Sequence, residues 1–524
     1  MFKVSCRRLL LYNLSGGLIM VAEIKSYTVI GVNAVEVTVQ VDAGRGLPSV
    51  AIVGLPDSAV KESKERVRSA VVNSGYPFPT KKIVINLAPA DLRKEGTIYD
   101  LPISVGILFS QNIVSEAKLK DYLVAGELGL NGEVRRVKGA LAFAILAKEK
   151  GYKGVILPFK NAEEASLISG IEIIPVKSLV DVVAFLNGDC VIEPFKENRK
   201  SGNFQFDVDM ADVSGQFHAK RAVEIAVAGG HNLLFFGPPG SGKTMITRRI
   251  PTILPEMTER EIIETTKIYS AAGLLSGGVV NKRPFRSPHH LVSDVAMVGG
   301  GSNLKPGEVS LAHNGVLFLD EFPEFKRSVI EALRQPIEDG MVTVSRISGT
   351  VAFPSRFILV AAMNPCPCGF YGFEDNVHQC SCSPFQVKRY LSKVSGPILD
   401  RIDIHVSLPA VKVEELSKGE KGEPSASIRV RVEKAHSIQK ERFKNLPISF
   451  NSHMGNREIR SFCVMTLEAE GILNRAVSTF RLSARGYNRI VKIAKTIADL
   501  EGEDNIKPHH VAEAVSFREI VKVN

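Results

Sequence analysis

The residues Gly237-Pro238-Pro239-Gly240-Ser241-Gly242-Lys243-Thr244 have the types and spacing of a phosphate-binding loop. Glycines let backbone N–H groups wrap an anion, and a helix starting behind them adds its dipole. Lys243 supplies a point charge for the β- and γ-phosphates of a nucleotide, and the Thr244 hydroxyl is suited to Mg2+. Further along, Asp320 and Glu321 end an apolar run. Asp320 is placed to hold Mg2+ through its water shell, and Glu321 to polarise an attacking water. Asn364 ends another apolar run, where a neutral amide beside the γ-phosphate orients water without adding charge. Arg401 offers a planar guanidinium of the kind that suits a transferring phosphoryl group. Cys366 and Cys368, with Cys380 and Cys382, form two C-x-C pairs with His378 close by. Four thiolates suit a structural, tetrahedral Zn2+. The spacing is tighter than the usual C-x2-C, so reduced thiols in a loop are the other reading.

Each of these groups needs an element to hold it. Leu233-Leu234-Phe235-Phe236 reads as a short buried strand before the glycine-rich turn, and Met245 to Ile250 as a helix after it, stopped by Pro251. Gly315 to Leu319 and Phe357 to Met363 read as buried strands that deliver Asp320 and Asn364 at their ends. His218 to Ala228 reads as a helix leading into the phosphate loop, after Asp212-Val213-Ser214-Gly215-Gln216, which is expected near the adenine. Val342 to Arg346 and Thr350 to Phe353 flank Ile347-Ser348-Gly349, a β-hairpin signal with Arg346 near its tip. Leu482-Ser483-Ala484-Arg485-Gly486 opens a helical run from Tyr487 to Glu501.

The front of the chain follows a βα pattern. Ser26 to Val41 alternates as strands do, and Val50 to Gly54 reads as a buried strand ended by glycine. Ser58 to Asn73 reads as an amphipathic helix with a basic face. Lys82 to Leu87 and Val155 to Pro158 read as strands, and Leu101 to Ser110 and Ala140 to Lys150 as helices. A polar stretch near 191–203 reads as a linker.

With 524 residues the chain is too long for a single core. No apolar run is long enough to span a bilayer, and no membrane partner is expected. Arg7-Arg8 and the leucines after them resemble a signal peptide weakly, and the run breaks at Asn13-Leu14-Ser15-Gly16-Gly17. We expect Met20 as the start of the folded protein, residues 1–19 as an extension and a cytoplasmic location. A net charge of +10 fits a polyanionic partner without requiring one.

Two resemblances add to this reading. Lys94-Glu95-Gly96, Gly132-Glu133-Val134, Gly139 and Val155-Ile156-Leu157-Pro158 are similar to the proteolytic domain of Lon. Lon-type peptidases use a serine–lysine dyad, and here Ile98 and Leu141 stand at the two positions, so the resemblance implies a non-catalytic relative. Phe285-Arg286-Ser287-Pro288-His289-His290, Gly299-Gly300-Gly301, Glu331-Ala332-Leu333-Arg334-Gln335-Pro336 and Ser395-Gly396-Pro397-Ile398-Leu399-Asp400-Arg401 resemble the YifB/ComM family of magnesium-chelatase-like AAA+ ATPases.

The family resemblance implies an α/β fold with a Lon-protease-like βα domain at 20–188, a linker at 189–206, an AAA+ P-loop NTPase core at 207–408 and a helical lid domain within 409–524. It implies ATP with Mg2+, Asn364 as first sensor, Arg401 as arginine finger and Arg485 as second sensor. It also implies a homo-hexameric ring that couples ATP hydrolysis to translocation or branch migration on single-stranded or branched DNA, as a helicase in transformation or recombination. Arg346, and Lys305 beyond the insert Val295 to Gly301, are the DNA-contact residues expected from it. The other reading is a chelatase-type motor that remodels a protein partner without DNA. The Lon-like front favours the helicase, on the expectation that chelatase motor subunits begin at the AAA+ module. Proteolysis is disfavoured by Ile98 and Leu141.

Overall fold

The computed structural model describes residues 21–196, 206–275, 278–301, 304–346, 349–373, 378–409, 422–480 and 482–518. The expected extension and residues 197–205 of the expected linker lie outside these residues. The chain falls into two compact units divided at Ser201 and Gly202, with the segment Ile262–Val280 belonging to the first.

The first unit is built on a four-stranded and a three-stranded sheet, with a short antiparallel pairing of Glu127–Leu128 and Val134–Arg135 beside them. Ala22–Ile30 and Asn33–Gly44 form an antiparallel pair, which Lys82–Ala88 extends in antiparallel sense. Ser49–Val53 then pairs parallel to Lys82–Ala88 at the sheet edge. This corrects the expectation of a buried strand at Val50 to Gly54: Val50 and Ile52 are half-buried, while Ala51 and Val53 are exposed. An edge strand has a neighbour on one side only, and its apolar run is left partly uncovered. Gly54 ends the strand because a Cβ there would lie 2.2 Å from the Leu87 carbonyl oxygen. A second, parallel sheet has the order Tyr122–Val124, Gly154–Pro158, Glu172–Val176.

Helix Ser58–Asn73 starts at Asp57, whose carboxylate accepts the Val60 N–H at 2.8 Å. It buries Val60, Ser63, Val67, Ala70 and Val71, the spacing of one helical face. Helix Asp100–Ser110 is buried through Phe109, and Ala140–Lys150 is buried through Ala144. Ile98 and Leu141 sit in the core of this unit, 8% and 0% exposed. The positions where a dyad would stand are therefore packed with hydrocarbon. From the returning segment, Ser270 accepts the Gly139 N–H on its carbonyl and donates its hydroxyl to Glu164.

The second unit carries a five-stranded parallel sheet in the order Phe285–Arg286, Val316–Leu319, Ile358–Met363, Leu233–Phe236, Ile404–Ser407. The three inner strands are apolar throughout and almost wholly buried, as parallel strands covered on both faces are. Helix Phe217–Gly229 precedes the phosphate-loop strand. The helix after the loop is Lys243–Thr247, shorter and earlier than the expected Met245 to Ile250, with a 3-10 turn at Ile250–Thr252. Pro251 sits inside that turn, so the chain departs from α geometry before reaching it.

The hairpin Met341–Arg346 with Gly349–Pro354 forms a two-stranded ribbon of its own. Its ladder ends at the pair Arg346 and Gly349; the side chain of Arg346 and the residues 347–348 lie outside the described residues. Behind the sheet come helices Ser425–Arg442, Leu467–Phe480, Ala484–Glu501 and Pro508–Ser516. Helix Ala484–Glu501 begins at Ser483, whose hydroxyl accepts the Gly486 N–H, and ends at Gly502 in the left-handed region. None of the described helices is long and apolar enough to cross a membrane.

Candidate nucleotide-hydrolysis site

Parallel strands of similar register bring their C-terminal ends to one edge, where α/β sheets bind ligands. Phe236 pairs with Met363 and Leu319 with Ala361, so the phosphate loop, Asp320 and Asn364 emerge side by side. Gly237 opens the loop where a Cβ would lie 2.2 Å from the Leu408 carbonyl oxygen, so no larger residue fits. Gly240 and Gly242 take φ of 75° and 88°, the left-handed region that curls the backbone around an anion. Pro238, Pro239 and Ser241 complete the turn.

Lys243 is buried, with 8% of the residue exposed. Its ammonium donates to the carbonyls of Gly237 and Pro238, both at 2.7 Å, and shares its third N–H between Asn364 Oδ1 at 3.2 Å and Ser241 Oγ at 3.3 Å. Burial pushes its pKa down to about 8, against the pull of Asp320. This cation is held by neutral acceptors, and an incoming phosphate would supply the charge it lacks. Thr244 donates to Asp320 Oδ2 at 2.7 Å. A hydroxyl and a carboxylate so close are hard oxygen donors of the sort Mg2+ takes, so the residues present fit that ion.

Glu321 is 59% exposed in its side chain and stands in the left-handed region, with φ 52° and ψ 46°. A non-glycine residue there stores strain, which clusters at functional sites. The backbone N–H of Glu321 donates to Asp320 Oδ1 at 3.0 Å, tying the two carboxylates into one turn. His290 Nδ1 lies 3.3 Å from Glu321 Oε2. His290 belongs to the Phe285–His290 motif, and nothing in its spacing points to Glu321.

Arg401 and Arg485 are not part of this edge. Asn232, just before Leu233, donates its side-chain N–H to the Arg401 carbonyl at 3.1 Å and its backbone N–H to Asp403 Oδ2 at 3.0 Å. Asn232 Oδ1 accepts the Leu359 N–H at 2.9 Å. Arg401 is thus anchored at the end of the phosphate-loop strand opposite to the loop. At about 3.3 Å per residue, the strand between them is longer than an arginine side chain.

The Arg401 side chain, 10% exposed, instead pairs with Glu338 Oε1 at 2.6 Å and donates to the Pro397 carbonyl at 2.7 Å. Arg485 reaches the same Glu338 oxygen at 3.7 Å. Helix Ala484–Glu501 is tied to this end of the sheet by Arg489, 3.0 Å from Asp403 Oδ1. Burial raises the Asp403 pKa, but His231, Arg489 and the Asn232 N–H outweigh it and hold the carboxyl well below the usual range.

The four cysteine sulfurs of Cys366, Cys368, Cys380 and Cys382 lie within 4.8 Å of one another. Cys366 is 3.2 Å from Cys368 and 3.8 Å from Cys380, and Cys368 is 3.6 Å from Cys380. A tetrahedron with Zn–S bonds of about 2.3 Å has edges of about 3.8 Å, so the residues present fit Zn2+. Cys366 Sγ also accepts the N–H groups of Gly369 and Tyr371, at 3.2 and 3.4 Å, as thiolates around a metal do. His378 stacks on Phe370 and is not part of this group. Lys305 is exposed, opposite Gly300 in a two-residue antiparallel pairing. The insert Val295 to Gly301 folds as helix Asp294–Val298 and the strand Gly299–Gly300.

Three comparisons with known families cover most of the chain. Residues 209–416 match the magnesium chelatase subunit ChlI family, 39–161 match subunit ChlI of Mg-chelatase, and 422–518 match the ChlI C-terminal family. The chain is 45% identical over 499 residues to competence protein ComM of Haemophilus influenzae, covering 94% of this chain and 96% of the relative. It is 45% identical over 497 residues to YifB of Escherichia coli, with the same coverage. Over 320 residues it is 20% identical to DNA replication licensing factor mcm6 of Dictyostelium discoideum, covering 58% of this chain and 32% of the relative. Because the match at 39–161 also carries the chelatase subunit's description, the front of the chain does not separate helicase from chelatase as the sequence reading expected.

Proposed function

The chain belongs to the magnesium-chelatase-like AAA+ ATPase family of ComM and YifB, and from that premise we propose that it forms a homo-hexameric ring that couples ATP hydrolysis to movement along DNA. In this reading Lys243 and the loop Gly237 to Thr244 bind the phosphates, and Thr244 and Asp320 hold Mg2+. Bound Mg2+ supplies neutralisation of phosphate charge. Glu321 accepts a proton from the attacking water, and Asn364 orients that water.

The observation that carries the ring is the anchoring of Arg401 at the far end of the phosphate-loop strand. A finger arginine there cannot serve its own nucleotide, and a neighbour's is the remaining target. Arg485, drawn to the same carboxylate, is read as the second sensor on the same side. For DNA, support comes from the separate hairpin that ends at Arg346, from Lys305, and from the relatives named for competence and DNA replication. A cation at a hairpin tip can follow phosphates without reading bases. We also propose the cytoplasm as location, the domain division set out above, and one structural Zn2+ on the four cysteines.

A chelatase-type motor acting on a protein without DNA is the second reading, favoured by the three family matches. The deciding experiment is the ATPase rate with and without single-stranded, forked and four-way DNA at stated salt. Stimulation by DNA, with affinity and its salt dependence lowered by Arg346→Ala, supports the helicase. No stimulation by any DNA, together with tight binding of a protein partner, supports the chelatase-type motor.

A further inference from the structure

Arg401 is poised in a way that a working finger is not. Its guanidinium is nearly buried and folded against its own subunit, with one amino group on Glu338 and the other on the Pro397 carbonyl. Its Nε–H is buried and meets no acceptor among the described residues. Buried donors left unpaired are rare, so the hydrogen-bonding capacity of this guanidinium is not fully used in this position. Glu338 is the charged partner of this guanidinium, and its Oε1 is shared with Arg485.

Glu338 is also close in sequence to the hairpin. It lies in the last turn of helix Arg334–Asp339, two residues before Gly340 and three before Met341, where the hairpin begins. Gly340 stands in the left-handed region, donates to the Pro336 carbonyl at 3.0 Å and accepts the Ser355 N–H at 2.8 Å. The helix end and the base of the hairpin are therefore bonded to each other. One turn earlier on the same helix, Arg334 reaches Ser395 Oγ at 3.2 Å, in the segment that leads to Arg401. Residues 334 and 338 share a helix face, so the helix is stapled to the Ser395–Arg401 segment at two points.

We propose that Glu338 is a positioning residue that holds the Arg401 guanidinium, with Arg485, inside its own subunit and yields it when the hairpin is displaced. The proposal rests on the reading that Arg401 serves a neighbour's nucleotide and the hairpin takes DNA. A carboxylate at charge-assisted distance competes with the phosphate for the same guanidinium. Movement of the hairpin base shifts the last helix turn and with it the competitor. DNA at the hairpin would then raise hydrolysis at the interface that its own subunit serves.

The test is the ATPase rate of the full chain, with and without DNA, for Glu338→Gln, Glu338→Asp and Arg401→Ala. Glu338→Gln keeps the shape and removes the charge. Its kcat without DNA is expected to rise about fivefold, equivalent to about 1 kcal/mol, with KM for ATP unchanged. Its rate with DNA stays near that of the wild type, so the stimulation ratio falls. Glu338→Asp, which keeps the charge, restores a low basal rate. A merely structural Glu338 predicts instead a lower kcat in both conditions. That outcome, or an unchanged stimulation ratio while Arg401→Ala is inactive, overturns the role of Glu338 and leaves the finger reading standing. If Arg401→Ala hydrolyses ATP at the wild-type rate, the finger reading itself falls, and the proposal with it.

Discussion

Lys243 and Glu321 bear the two opposite demands of the site. Lys243 is a cation kept out of water, and its lowered pKa records burial that no carboxylate fully offsets. Glu321 is exposed and strained, held in the left-handed region by the turn that follows Val316–Leu319. A base must meet water, and a phosphate anchor must exclude it. Glu321→Gln is therefore expected to bind ATP as the wild type does and to turn it over about a hundredfold more slowly, since a positioned base contributes at least that much. Equilibrium binding of a fluorescent ATP analogue, set beside steady-state hydrolysis, separates the two effects. Wild-type turnover in this variant removes Glu321 from the role of base. The neighbouring His290 was legible only as text in a motif. Its approach to Glu321 depends on where Phe285–Arg286 delivers the chain, which no local spacing encodes.

At the scale of elements, the strand Ile358–Met363 and the cysteine cluster behind it act as one piece. Asn364 ends the strand, Cys366 follows two residues later, and the chain then passes Gly369, where a Cβ would lie 2.5 Å from Pro239 of the phosphate loop. The segment between the cysteine pairs thus packs directly on the proposed phosphate loop. If the four thiols hold one Zn2+, metal analysis of protein purified without added zinc finds about one per chain. Cys368→Ser then lowers both the zinc content and the thermal midpoint, because three ligands leave the site open. Full zinc content in that variant removes Cys368 from the ligand set. The element reading was sound where an apolar run is central, as at Leu233–Phe236, and failed at Ser49–Val53. Composition does not say whether a run of apolar residues sits inside a sheet or at its edge.

For the whole molecule, the phosphate loop and Arg401 stand at opposite ends of one strand. In the proposed ring, a single subunit then has half of each of two interfaces. Neither Lys243→Ala, which lacks phosphate binding, nor Arg401→Ala, which lacks the finger, is expected to hydrolyse ATP alone. Mixed together they recover part of the rate, because some interfaces pair an intact loop with an intact finger. A titration of one variant into the other, read as ATPase rate per total chain, peaks at an intermediate ratio. A flat titration at the level of the single variants removes the assignment of Arg401 to the neighbour's site.

Short-range chemistry was already determined by the amino-acid sequence. The phosphate loop, the acidic strand end, the amide strand end and the cysteine pairs are each defined within a few residues, because backbone geometry links neighbours along the chain to neighbours in space. That neither position 98 nor position 141 offers a nucleophile or a base was equally plain from Ile98 and Leu141. What needed the tertiary structure was every relation across elements: the edge position of Ser49–Val53, the approach of His290 to Glu321, and the hold of Glu338 on both Arg401 and Arg485. Glu338 and Arg401 are far apart in the chain and meet only because parallel strands return the backbone to the same end of the sheet. A charge pair of that kind leaves no period and no motif, so only the packing of the sheet brings it about.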